Sequence, residues 1–142
     1  MTTGSGDNSY NVLLDMVRSH VAHSKQYFDN AIVALQDREP GKAGELLWGS
    51  VTQAFHAVAA LRQRSVDSHR DLKNFALWVG ESTSDPSLRG DFEDTEKLHN
   101  NFYDVTHTTE DVADIIPAVN RLISRAFRLL PPELLEDYPR QD

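Results

Sequence analysis

Three histidines stand where a helical chain could bring them together: His56, His69 and His99. Imidazole titrates near neutral pH, so such a cluster can hold, donate or accept a proton. His99 lies in "KLHNNFYD", residues 97–104, which crowds a histidine, two amides and two aromatics into a stretch of helical character. Trp48, Thr52 and His56 follow one another at i, i+4 and i+8, a stripe on one helix beside its apolar face. His99 and Tyr103 are likewise one turn apart, with Asn100 near them, while Leu98 and Phe102 form the neighbouring apolar pair. One residue turns a helix by about 100°, so burying Leu98 sets His99 at the edge of the same face. The spacing therefore predicts one polar pocket or contact patch from Trp48, Thr52, His56, His69, His99, Asn100 and Tyr103. The alternative reading of the same residues is packing at the core edge, with His99 as an interhelical hydrogen-bonder.

Other chemistries find little support. A di-metal bundle site needs inward Glu residues and repeated Glu-x-x-His motifs. Glu96 and His99 supply that spacing once, but the matching position on the second helix pairs Glu45 with Trp48. His20 and His23 have no further ligand near them in sequence, and the chain has no cysteine, which removes thiolate and cysteine–zinc chemistry. There is no Gly-rich phosphate loop, no serine nucleophile elbow and no interleaved basic–aromatic surface. No metal and no cofactor are expected. Arg121, Arg125 and Arg128 give one helix a basic edge, read as a solvated face with acidic partners on the preceding helix.

The elements that must position these residues are helices. Apolar positions recur at three, four and seven residues through segments 9–37, 42–64, 69–80, 88–104 and 109–130. Pro40 and Gly41 punctuate the first boundary, Ser68 and Thr108 are N-caps, and Pro131 and Pro132 stop the last helix. Pro117 falls inside the last pattern and predicts a kink. No segment alternates long enough for a strand. The fold class is all-α: a single antiparallel bundle of four to five helices, spanning 9–130, with a flexible arm at 1–8 and a tail at 131–142. The expected core includes Leu14, Val21, Phe28, Leu47, Phe55, Val58, Leu72, Phe75, Leu98, Phe102, Ile116 and Leu122.

The 142 residues make one ordinary domain, and 22 acidic against 14 basic side chains give a net charge of −8. That charge disfavours RNA or nucleotide as a partner unless the cations cluster locally. The N-terminal ten residues lack the marks of a signal peptide, and no apolar run spans a membrane, so a cytoplasmic location is expected.

"KAGELLWGSVTQAFHAVA", "SHRDLKNF" and "LHNNFYD" occur in that order. Together, over residues 18–129, the chain resembles the PaREP-type small proteins of the HEPN superfamily. The resemblance implies an HEPN-like bundle of four or five helices and a two-fold dimer. The wider superfamily holds ribonucleases of toxin–antitoxin and defence systems as well as non-catalytic binding or accessory domains. Its nucleases use an Arg placed shortly before a His on one helix near the dimer axis. Arg64 and His69 match that count but fall across a helix junction. The expected function is thus a non-catalytic interaction or accessory protein, acting as a homodimer or as a small subunit of a larger complex. The alternative is a HEPN-type ribonuclease or nucleotide-binding domain, with His99 or His69 as general base or acid and Arg64 or Arg70 against phosphate.

Overall fold

Among the residues described by the computed structural model, 4–100 and 107–136, there are six α-helices, one short 3₁₀ turn and no strand. The helices are α1 (Gly4–Gln36), α2 (Pro40–Leu61), α3 (His69–Ser82), α4 (Leu88–Asn100), α5 (Thr109–Ala113) and α6 (Ile116–Arg128), followed by the 3₁₀ turn Pro132–Leu134. α1 starts at Gly4, inside the segment expected to be an arm, because extending a formed helix costs far less than starting one. Pro40 opens α2 from its first turn, where a missing N–H costs no hydrogen bond. Pro117 plays the same part in α6. The expected kink is instead a break at Asp114 and Ile115, which makes two helices of one. The caps form as their sequences require. Ser68 Oγ accepts from Asp71 N–H at 3.0 Å, and Thr108 and Asp111 exchange both bonds of a capping box, at 3.1 and 3.0 Å. Residues 101–104, including Phe102 and Tyr103, lie outside the described residues, as does the side chain of Asn100.

Three helices end on a residue with positive φ: Arg38 (56°), Gln63 (55°) and Ser84 (54°). Each has the same pair of bonds. Glu39 N–H reaches Ala34 O, Arg64 N–H reaches Ala59 O and Asp85 N–H reaches Gly80 O, all spanning five residues back. These are Schellman ends, whose left-handed position is most often glycine. A side chain there is strained, so Gln63→Gly and Ser84→Gly should each raise stability by about 0.5–1 kcal/mol. Thermal melts of the two variants check this; a lowered midpoint would contradict it.

α2 is the central helix and packs against α1, α3, α4, α5 and α6. Its apolar face supplies Ala43, Leu47, Val51, Ala54, Phe55 and Val58 to the core, joined by Phe75, Val79, Leu88, Phe92, Leu98, Val119 and Leu122. Leu14, Phe28 and Ile116, expected inside, are only half-buried at the rim. For Leu14 and Phe28 the reason is that α1 packs substantially on α2 alone, apart from a contact with the 3₁₀ turn. That pairing is antiparallel and fixed by a buried polar link: Ser24 Oγ donates to Ser50 O at 2.7 Å, and Ser50 Oγ to Ser24 O at 2.8 Å. Gly49 is small for a reason, since a Cβ there would sit 3.1 Å from the Tyr27 ring.

α4 runs antiparallel to α6. Arg121 grips the buried Asp91 with two bonds of 2.9 and 2.8 Å, and Arg125 pairs with Asp85. Two of the three arginines of the basic edge thus hold the bundle together rather than standing solvated. α2 and α3 break the antiparallel expectation. His69, at the start of α3, lies over Trp48 in mid-α2, whereas Trp78 near its end meets Arg62 and Arg64 at the end of α2. The two helices therefore run in the same sense. The irregular segment 62–68 returns the chain by about 20 Å, the rise from Trp48 to Leu61, which seven extended residues can span.

Candidate functional site

The parallel course of α3 is what assembles the site. It carries His69 back over Trp48, and α4 brings His99 to the same place. The centroids of the Trp48, His69 and His99 rings form a near-equilateral triangle: 5.1 Å from Trp48 to His69, 5.5 Å from Trp48 to His99 and 5.7 Å between the imidazoles. Both imidazoles stack nearly parallel to the indole, at 26° and 21°, so they lie side by side over it. Trp48 is 6% exposed and meets Phe92 edge-on at 5.5 Å, which ties the cluster to the core.

Each imidazole is backed by a carboxylate. His69 Nε2 lies 2.6 Å from Glu96 Oε2, and His99 Nδ1 lies 2.9 Å from Glu45 Oε1. Lys73 donates to the other oxygen of Glu96 at 3.0 Å. Burial pushes the Glu96 carboxyl up, but the bonds and charges of His69 and Lys73 outweigh it and hold the group below its usual range. Such a carboxylate fixes the tautomer and ring orientation and leaves the other nitrogen of each ring for a ligand.

The two rings open onto a cleft of about 310 Å³ lined by Trp48, Thr52, His56, Val66, Asp67, Ser68, His69, Leu72 and His99. Five of the residues expected to form a patch, Trp48, Thr52, His56, His69 and His99, are thus brought together. Arg64 does not line the cleft; it stacks over Phe75 and Trp78. Sequence reasoning missed Glu45 and Glu96 as the imidazole partners. Glu96 and His99 stand one turn apart on one helix, yet each histidine reaches a carboxylate on another helix. No group of three or more His, Asp or Glu among the described residues is placed to hold a metal ion.

His56 sits at the far end of the cleft and stacks on His20 of α1 at 5.6 Å, and His20 Nδ1 is 2.7 Å from Gln53 Oε1. Burial, and then the neighbouring His20, lowers His56 below the usual imidazole value of 6.5. The unfolded chain then takes up that proton first. Stability from this group is therefore complete above about pH 6.5 and falls as pH drops toward the lowered folded value. Glu96 acts in the same direction lower down, its contribution being complete above about pH 4.3 and lost below it. Melting temperature against pH should show the first decline starting near pH 6.5. His56→Gln should flatten that limb and leave the lower one; an unchanged profile would contradict the assignment.

No curated protein and no solved structure matches this chain. The model of the archaeal PaREP1/PaREP8 family matches residues 19–123. That span runs from mid-α1 into α6 and contains Trp48, His69 and His99 together with Glu45 and Glu96. It covers most of the chain, and the protein belongs to the PaREP1/PaREP8 family.

Proposed function

We propose that the protein is a non-catalytic interaction module that acts as a homodimer or as a small subunit of a larger complex. The observation that supports this is the outer face of α1. Val12, Met16, Ser19, His23, Gln26, Asn30 and Val33 recur at alternating steps of four and three, and all are exposed. Four of the five large hydrophobics exposed among the described residues belong to this helix: Tyr10, Val12, Met16 and Val33. A heptad stripe of this kind is the pattern of a helix–helix seam. It is also nearly palindromic, with apolar ends and His23 at its middle. An antiparallel pair related by a two-fold axis near His23 sets Val12 beside the second copy's Val33, which is the self-complementarity that an isologous interface needs. The family resemblance adds support for a HEPN-like bundle of this kind.

Light scattering of the purified chain tests the reading. The expected result is a dimer, or a complex recovered with a partner from cells, that Met16→Glu with Val33→Glu reduces to a folded monomer. A wild-type monomer at high concentration with no recovered partner would overturn it.

The carboxylate-backed pair His69 and His99 favours a second reading, a ribonuclease. Two imidazoles side by side in an open cleft could divide the base and acid roles of phosphodiester cleavage. Neither Arg64 nor Arg70 lines the cleft to stabilise phosphate, which ranks this reading second. Cleavage of an RNA substrate that disappears in His69→Ala and His99→Ala would put it first.

A further inference from the structure

A basic–aromatic surface absent from the linear sequence appears in space at the end of α2. The guanidinium carbons of Arg62 and Arg64 lie 5.2 and 5.1 Å from the Trp78 ring centroid, and Arg64 lies 5.0 Å from that of Phe75. The Schellman turn at Gln63 fixes the backbone between the two arginines, and Phe75 and Trp78 stack at 5.7 Å to form the platform beneath them. Phe75 is buried, so the platform is anchored in the core, while Trp78 is 37% exposed.

Arg62 and Arg64 make no ion pair among the described residues. They do so in a protein whose acidic side chains outnumber its basic ones by 22 to 14. Arg38, Arg121 and Arg125 each have a carboxylate partner. A guanidinium held over a ring keeps N–H groups available for a two-point bond to a carboxylate.

We propose that this surface docks a short acidic segment of a partner protein, its carboxylates bridging Arg62 and Arg64 over Trp78. The charge of the patch is complementary to such a segment. A nucleic acid fits less well, because the ring faces on which its bases would stack are already taken by guanidiniums and Phe75. The inference rests on the interaction reading only in taking the partner to be a protein, and the surface belongs to elements other than α1.

The test uses a fluorescently labelled, capped Glu/Asp-rich peptide and the full chain, read by anisotropy at physiological ionic strength. Saturable binding is expected. Arg62→Ala with Arg64→Ala should weaken it at least about tenfold, while Arg62→Lys with Arg64→Lys and Trp78→Ala should also weaken it, because an ammonium lacks the planar fork and the platform orients the fork. Helicity and light-scattering mass should stay at wild-type values in the lysine variant. The peptide should bind Met16→Glu/Val33→Glu as it binds the wild type, so failure of the α1 seam leaves this result standing. Peptide affinity that is absent, or that is unchanged by the alanine pair, would overturn the proposal. So would tighter binding of a single-stranded oligouridine than of the peptide.

Discussion

Phe55→Ala should lower the unfolding free energy by about 3–5 kcal/mol and the melting midpoint by about 10–20 °C. Phe55 is fully buried on the one helix that contacts five others, and its ring meets Phe92 of α4 edge-on at 6.4 Å. A cavity at that position is bounded by α2 itself and by helices pinned elsewhere, by Ser24 and Ser50 on one side and by Arg121 and Asp91 on the other. The walls therefore cannot close in to recover the lost contacts, which puts the cost toward the upper end for such substitutions. Urea titration with a two-state fit measures it. A loss below about 1 kcal/mol would mean that the face of α2 turned toward the core is not the one described.

Why this fold was largely readable follows from α2. Its apolar positions repeat with helical period over six turns, so a single register satisfies Leu47, Val51, Ala54, Phe55 and Val58 at once. The Ser68 and Thr108 caps were readable because their chemistry is local: a side-chain oxygen and an N–H three residues on. The ends of α1 and α3 were readable to within two residues, from Pro40 and Gly41 and from the polar loop after Gly80, but the end of α2 was not. Its left-handed residue, Gln63, is not glycine, so nothing in the composition marks the turn. Missing the end at Gln63 extended the second helix to Arg64 and hid the irregular segment that follows.

That segment explains what was legible in the site and what was not. The stripe Trp48, Thr52, His56 and the edge position of His99 follow from spacing along single helices. That His69 joins them depends on α3 running parallel to α2, which no periodicity encodes. The pairing of His69 with Glu96 and of His99 with Glu45 depends on three helices at once. In sequence, Glu96 and His99 look like partners because they are one turn apart. In space each has turned to a different neighbour. The arginine patch was hidden for the same reason: between Arg64 and Trp78 lie the rest of the returning segment and more than two turns of α3.

Trp48→Ala should be nearly as costly as the loss of Phe55, about 3–5 kcal/mol, and it should also dismantle the cleft. Trp48 is 6% exposed and bridges Phe92 in the core to His69 and His99 above it. Without the indole the two imidazoles lose the surface that keeps them 5.7 Å apart, although each keeps its own carboxylate. Trp48→Phe preserves an aromatic platform and should recover most of the stability, which separates the packing role from the rest. His99→Ala then isolates function. His99 is about one-third exposed and its bond to Glu45 is at the rim, so the loss of stability should be under about 1 kcal/mol. Loss of partner binding in His99→Ala, with folding intact, would make the cleft part of the interaction surface. Loss of RNA cleavage alone would move the ribonuclease reading ahead of it. If both properties survive while stability falls by several kcal/mol, His99 is an interhelical tie between α4 and α2, and the cleft has no role beyond packing.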